Sequence, residues 1–561
     1  MENAETTARS PAERIPASPL LRRGLLVLFP LLLVLSAWIH DDAYITFRSI
    51  DNLVHGLGPT WNPDERVQVF THPLWMLIHA GIYTLTREVY FSCLTVSMAL
   101  SVGAFVLLLF RIPTSVWAGC IAGFVLATSR SFVEYSTSGL ENPLTHFLLA
   151  VFAIALCRFG SSATQSPSKI LGLALIAALG SLARPDALLL FLPALGYYLF
   201  RSRSWKTVLW AALGFAPLFA WELFALIYYG SLVPNPAYAK LAIGVARSGF
   251  LLQGLYYLLY SLLNDPITVL AIAGAAVAAF RRRARIPVLM AAGSLLYVGY
   301  VVWVGGGYMG GRFLSAPLFA AAISIARLDI APPTRRQLAT GLAVGSLLIL
   351  RTASAQVVGF VKVPGVEDER SKFHYATGLL NGIGSDTWPD HYFRRKGEYA
   401  RRHGPRLMVD GYVGFLGFYA GPEVHVIDLI GLPDPLLARL PGLTRGHYNR
   451  PGLEAWCPGH VPRLVPEGYV ESIERDENRI RDPHLAELYD QIRRITRGPL
   501  WDLERWIAIW KLHRGAYAPL IAAYVEAHPE AVGEPPDDLR TWFSFDVNIL
   551  LEESDSKEEG F

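Results

Sequence analysis

Residues 40–75 read HDDAYITFRSIDNLVHGLGPTWNPDERVQVFTHPLW. The stretch opens on two adjacent carboxylates, Asp41 and Asp42, at the end of an apolar run, Leu25–Ile39. It leads into a second apolar run at 89–110. Ionisable side chains at the mouth of a membrane span are costly to place and mark functional sites. The plain structural alternative is a solvated pair that stops the span. The choice turns on whether the flanking runs cross a membrane.

Composition answers for the membrane. Of 561 residues, 52% are hydrophobic and only 17% charged, and the mean hydropathy is +0.32. Soluble domains carry about 25% charged residues. A net charge of +3 is too small to draw the chain to nucleic acid. A span needs about 20 mainly apolar residues. Eleven segments approach that: 24–39, 89–110, 114–129, 143–158, 168–183, 186–201, 207–229, 266–280, 286–304, 313–327 and 337–353. Arg22 and Arg23 ahead of the first run resemble the start of a secretory signal. His40-Asp41-Asp42 follows where a small-residue cleavage site belongs, so the run reads as a retained span.

Charge orients the spans. Arg22, Arg23, Arg111, Lys169, Arg201, Arg203, Lys206, Arg281, Arg282, Arg283, Arg285, Arg335 and Arg336 all fall on one side when eleven spans are counted. This requires that 73–86 and 249–263 not cross singly; both have the length of interfacial or re-entrant helices. The N-terminus is then cytoplasmic and the C-terminus outside. From about Ser354 polar and charged residues mix in. Residues 407–410 and 424–428 read as short buried strands, and 483–495 and 501–512 as amphipathic helices. The predicted organisation is a membrane region 1–353 with a long first outer loop, 40–88, a soluble α/β or α+β domain, 354–550, and an acidic disordered tail, 551–561. Cys93, Cys120 and Cys157 lie in apolar runs and Cys457 stands alone in the polar part. There is no CxxC, so no metal-ligand set is assigned.

With this topology the unusual polar residues gather outside. Glu141, after Ser138-Gly139-Leu140, opens the fourth span; an acid there also suits a helix start. Arg184-Pro185-Asp186 forms a short outer turn whose charges could satisfy each other. Tyr228-Tyr229-Gly230 leads through Pro234-Asn235-Pro236 to Lys240. Gly305-Gly306-Gly307-Tyr308-Met309-Gly310-Gly311 precedes Arg312, and its glycines permit close backbone approach or simply a flexible turn. Arg184, Lys240 and Arg312 are cations on the side that the positive-inside tendency disfavours, and cations held there suit a lipid phosphate.

Taken together these stretches resemble the GT-C superfamily of integral-membrane glycosyltransferases. Within it they resemble the terminal arabinofuranosyltransferases of the mycobacterial cell envelope and their bacterial relatives. The resemblance is carried by Asp41-Asp42 with Arg48 and Asn52; Asn62-Pro63 with Glu65-Arg66-Val67; Ser138 to Glu141; Arg184-Pro185; Tyr228-Tyr229-Gly230 with Val233-Pro234 and Ala239-Lys240; Gly305-Gly306 with Met309, Gly311 and Arg312; and, further on, Val426-Ile427-Asp428, Ile430-Gly431-Leu432, Asp434-Pro435-Leu436 and Arg445-Gly446-His447. Gly307 departs from it, because relatives usually carry an acid after the double glycine.

The resemblance implies a GT-C fold in a bacterial inner (plasma) membrane, with the C-terminal domain periplasmic. It implies transfer of a sugar, arabinofuranose by likeness, from a polyprenyl-phosphate donor to a cell-envelope glycan at the outer face. Asp41 or Asp42 is then the catalytic acid, with the first of the pair the usual one. Arg48, Asn52, Arg184, Tyr229, Asn235, Lys240 and Arg312 would bind the donor. His72, Glu141, Arg445 and His447 would contact sugar or acceptor. Phosphate leaves readily, so the carboxylate serves as general base toward the acceptor hydroxyl, or as nucleophile if the anomeric configuration is retained. No organic cofactor is called for, and a divalent cation at Glu141 stays an open alternative. An O-antigen-type ligase or polymerase would use a diphosphate-linked glycan instead. A transporter or flippase would show internal repeats and charges near mid-membrane, which the sequence lacks.

Overall fold

Each of the eleven apolar segments is helical in the computed structural model, which describes residues 19–158, 167–202, 204–241, 243–354, 360–385, 387–443 and 458–532. The tail at 551–561 and the residues Arg445, His447 and Cys457 lie outside the described residues. Up to residue 353 the elements are α1 (Pro19–Ser36), α2 (Asp41–Val54), α3 (Pro73–Thr86), α4 (Tyr90–Phe110), α5 (Val116–Thr128), α6 (Arg130–Glu134), α7 (Asn142–Cys157), α8 (Pro167–Ala183), α9 (Leu188–Ser202), α10 (Trp205–Gly214), α11 (Ala216–Tyr228), α12 (Asn235–Leu241), α13 (Arg247–Asn264), α14 (Pro266–Arg282), α15 (Arg285–Trp303), α16 (Ser315–Ala326) and α17 (Arg335–Ala353).

Among the described residues α1, α4 and α15 are each long and apolar enough to cross a membrane alone. Two bent pairs, α10 with α11 (55°) and α13 with α14 (107°), pass the same test together. The chain is therefore a multi-pass membrane protein. The sharp turn between α13 and α14 falls at Asp265-Pro266, where proline cannot continue a helix. Asp265 fastens that corner to α6 by accepting the Ser131 backbone N–H at 2.8 Å, and it also accepts the Thr268 hydroxyl of α14 at 2.6 Å.

Beyond residue 354 come α18 (Glu369–Thr377), α19 (Tyr392–His403), β1 (Leu407–Asp410), α20 (Gly414–Ala420), β2 (His425–Asp428), α21 (Tyr469–Glu474), α22 (Pro483–Arg497), α23 (Leu503–His513) and α24 (Ala518–Ala527). The two predicted strands pair in parallel, Leu407 opposite His425 through Asp410 opposite Asp428, with α20 in the connection between them. The predicted amphipathic helices are α22 and α23.

The three largest hydrophobic cores among the described residues hold the elements together. One fills the helix bundle, around Phe29, Phe105, Phe132, Phe191 and Phe319. A second joins residues 38–75 to the later segment: Trp38, Tyr44, Trp61 and Trp75 bury with Phe373, Phe415 and Val426. Fully burying a side chain such as Phe415 stabilises by about 1.5–3 kcal/mol, so this shared core fixes α20 against α2. The third packs β2 on α21, α22 and α24.

Candidate active site

The turn that starts α2 sends its two acids in different directions, because successive helical residues diverge by about 100°. His40 is the N-cap, and its Nδ1 accepts the Asp42 backbone N–H at 2.9 Å. With Nδ1 accepting, the ring proton sits on Nε2, which donates to Glu369 Oε2 at 2.9 Å. Asp41 is buried and turned toward α20: its oxygens accept the N–H of Gly414 at 3.1 Å and of Phe415 at 2.7 Å. A Cβ at Gly414 would collide with Asp41, so glycine is required by this close approach. Burial pushes the Asp41 carboxyl up to about 7.

Asp42 instead lines a cavity of about 290 Å³. Its two oxygens accept the Tyr308 hydroxyl, each at 3.2 Å. Burial would raise its pKa, but His40, Lys240, His460 and Arg312 outweigh burial and hold the carboxyl below its ordinary value. Burial brings His460 itself down to about 4, which leaves it neutral at pH 7. Lys240 and Arg312 are the non-histidine cations among these neighbours, and burial lowers the Lys240 amine.

The same cavity is lined by Thr46, His72, Arg184, Asp186, Lys240 and Arg312. Glu141, fully buried at the head of α7, ties two of the cations together. It accepts Arg184 Nη1 at 2.6 Å and Arg312 Nη2 at 3.1 and 3.0 Å. Burial would raise its carboxyl, yet Arg312 and Arg184 hold it far below the ordinary carboxylate range. His72 closes the group, Nδ1 lying 3.4 Å from Glu141 and Nε2 2.9 Å from Thr46 Oγ1. Burial lowers His72 to about 4, so it is a neutral imidazole at pH 7. Arg184 also pairs with Asp186 at 2.7 Å and lies 4.4 Å over the Phe313 ring. Lys240, by contrast, makes no hydrogen bond or ion pair with a described residue, and the buried Arg312 Nε has no partner among them. Gly307 lines the cavity too, and a Cβ there would stand 2.8 Å from Phe313.

Four expected donor contacts are elsewhere. Arg48 faces away from the cavity, donating to the carbonyls of Trp61 (2.9 Å), Gly417 (2.6 Å) and Val424 (2.8 Å). Asn52 donates to the carbonyls of Thr60 (2.9 Å) and Trp61 (3.0 Å). Tyr229 donates to Pro59 O at 2.9 Å. Asn235 donates to the carbonyls of Gly431, Leu432 and Asp434. All four satisfy buried backbone carbonyls, most of them in irregular segments, which would be costly to leave bare. Arg48 ties α2 to α20 and Val424, Asn235 ties α12 to residues 431–434, Asn52 ties α2 to residues 60–61, and Tyr229 ties the end of α11 to Pro59. Sequence reasoning missed His40, Tyr308, His460 and Glu369. The adjacency of His40 to the acid pair and the position of Tyr308 inside the glycine run were available signals; nothing local marks Glu369 or His460.

No family model matches the chain. Among curated proteins it is 27% identical over 531 residues to the terminal beta-(1->2)-arabinofuranosyltransferase of Mycobacterium tuberculosis, covering 77% of this chain and 82% of that relative. It is 28% identical over 334 residues to the protein of the same name in Corynebacterium glutamicum, covering 52% of this chain and 48% of that relative. Among solved structures, ArnT from Cupriavidus metallidurans bound to undecaprenyl phosphate aligns over 75% of this chain and 76% of its own, with a TM-score of 0.45 and 13% identity. Its apo form aligns over the same shares with a TM-score of 0.39 and 14% identity. The resemblance read from the sequence thus stands: over most of its length this chain is similar to terminal beta-(1->2)-arabinofuranosyltransferases, and glycosyltransferase, the enzyme class read from the sequence, is the class of both relatives.

Proposed function

We propose that this protein is an integral-membrane glycosyltransferase of GT-C type that moves a sugar, arabinofuranose by likeness to its relatives, from a polyprenyl phosphate to an envelope glycan at the outer face. The observation that carries the proposal is the pairing, in one cavity, of an ionised Asp42 with cations whose donors are not all taken, Lys240 and Arg312. In this reading Lys240 and Arg312 hold the donor phosphate, with Glu141 fixing Arg312 and Arg184 as a pair. The acceptor oxygen attacks the anomeric carbon while Asp42 takes the hydroxyl proton. The bond from that carbon to the phosphate oxygen breaks, and the phosphate leaves with the electron pair. A positioned base contributes about 10²–10⁴-fold, and preorganised cations stabilise the charge growing on the phosphate.

Asp41 holds α20 and takes no part in the chemistry. Eleven crossings, a cytoplasmic N-terminus and an extracytoplasmic region from 354 to 550 complete the reading, supported by the one-sided arginine and lysine clusters. The test is purified protein in lipid nanodiscs with synthetic polyprenyl-phosphate arabinofuranose, mannose and galactose, assayed against envelope glycans. Transfer from the arabinofuranose donor is expected. Transfer only from diphosphate-linked oligosaccharides would replace the reading with a ligase.

A further inference from the structure

Helix α23 has two faces of opposite character. Its inner face is locked in place by Arg505, which is fully buried. The guanidinium donates to the carbonyls of Ile495 (2.8 Å), Leu500 (3.1 Å) and Tyr228 (3.1 Å), the last being the C-terminal residue of α11. His513 Nε2 meets Gly230 O at 3.2 Å, so both ends of α23 are pinned at the exit of α11. Its outer face carries Leu503, Ile507 and Trp510 at helical spacing, exposed by 72%, 45% and 60%, with Trp501 just ahead at 74%. A domain surrounded by water does not hold such a stripe on one helix face without a partner.

We infer that this face of α23 lies in the outer leaflet of the bilayer, with Trp501 and Trp510 at headgroup level. Three observations select lipid as the occupant. The helix packs at the end of α11, through Leu226 against Ala508 and Ile509, and α11 itself exposes Phe219, Leu223 and Phe224. Tryptophan is the residue favoured at the membrane–water boundary, apolar on its ring and polar at its N–H. Lys511 and Arg514 follow, both exposed, and Arg514 lies 5.4 Å over the Trp510 ring, so cations border the stripe where lipid phosphates would meet it. The neighbouring α24 is apolar through most of its length and buries chiefly Tyr524. The polar region is thereby seated on the membrane beside α11 instead of standing clear of it. The inference needs α11 to span the membrane but does not depend on the sugar chemistry.

Spin labels test it. Leu503→Cys, Ile507→Cys, Lys511→Cys and Arg514→Cys are made singly in the full chain, reconstituted in nanodiscs, and read against the unsubstituted chain with its four native cysteines. The expected result is a ratio of oxygen to water-soluble nickel-complex collisions several-fold higher at 503 and 507 than at 511 and 514. Equal nickel access at all four positions overturns the inference. Low access to both reagents at 503 and 507 also overturns it, since that pattern marks a covering protein surface.

Discussion

The Asp41 carboxylate accepts the Phe415 N–H at 2.7 Å, joining the first turn of α2 to a helix that begins more than three hundred residues later. Asp41 is thus the N-terminal cap of α20, supplied from a distant part of the chain. Removing such a cap costs about 0.5–2 kcal/mol. Asp41→Ala is expected to lower stability by about that amount while transfer activity survives in the folded fraction, as thermal unfolding and single-turnover assays will show.

The same side chain gives a pH signature. Burial raises the Asp41 pKa from 3.8 to about 7 in the folded protein. Its contribution to stability is therefore complete below pH 3.8 and is lost as pH rises through about 7. Asp41→Asn is expected to flatten that part of the stability curve. Thermal midpoints of both proteins at about pH 5 and about pH 8 measure it; an unchanged slope in the variant contradicts the burial argument.

Glu141 is the common partner of Arg184 and Arg312. Breaking a buried pair by removing one member costs about 3–5 kcal/mol, because the remaining charge is left unpaired. Glu141→Ala is expected to destabilise on that scale, and Glu141→Gln less. Donor titrations of the Gln variant should show weaker binding, since the two guanidiniums no longer share a fixed anchor.

Lys240 is one of the cations that hold the Asp42 carboxyl below its ordinary value. The acid limb of kcat/KM in the unsubstituted protein should therefore lie below the usual carboxylate range. Lys240→Met removes a charge that favours ionised Asp42, so the limb should move upward in pH, together with a loss of donor affinity. A pH–rate profile whose limb stays in place counts against Asp42 as the base.

Much of this was legible in the sequence because the relevant signals are local. Apolar length marked the helices, and short buried runs flanked by glycine or proline marked strands at 407–410 and 424–428, which pair over 407–410 and 425–428; Asp42, Lys240, Arg184 and Arg312, singled out as unusual polar residues, line one cavity. What was not legible depends on partners far along the chain. Arg48 and Asn52 lie on the same helix as Asp42, and no local pattern tells a cavity-facing side chain from one that meets backbone carbonyls of a distant segment. The two acids of the pair are alike in sequence, and only the packing of α20 on α2 shows that the Asp41 carboxylate is occupied by backbone N–H groups. Glu369 reaches His40 across the fold, and its neighbours in sequence give no hint of it.

The most direct test of the account is the transfer rate of Asp42→Asn beside that of Asp41→Asn, in folded protein of matched amount with the polyprenyl-phosphate donor. The account predicts a loss of about 10²–10⁴-fold for Asp42→Asn with donor binding retained, and a far smaller loss for Asp41→Asn. Full activity in Asp42→Asn, or a loss confined to Asp41→Asn, would contradict it.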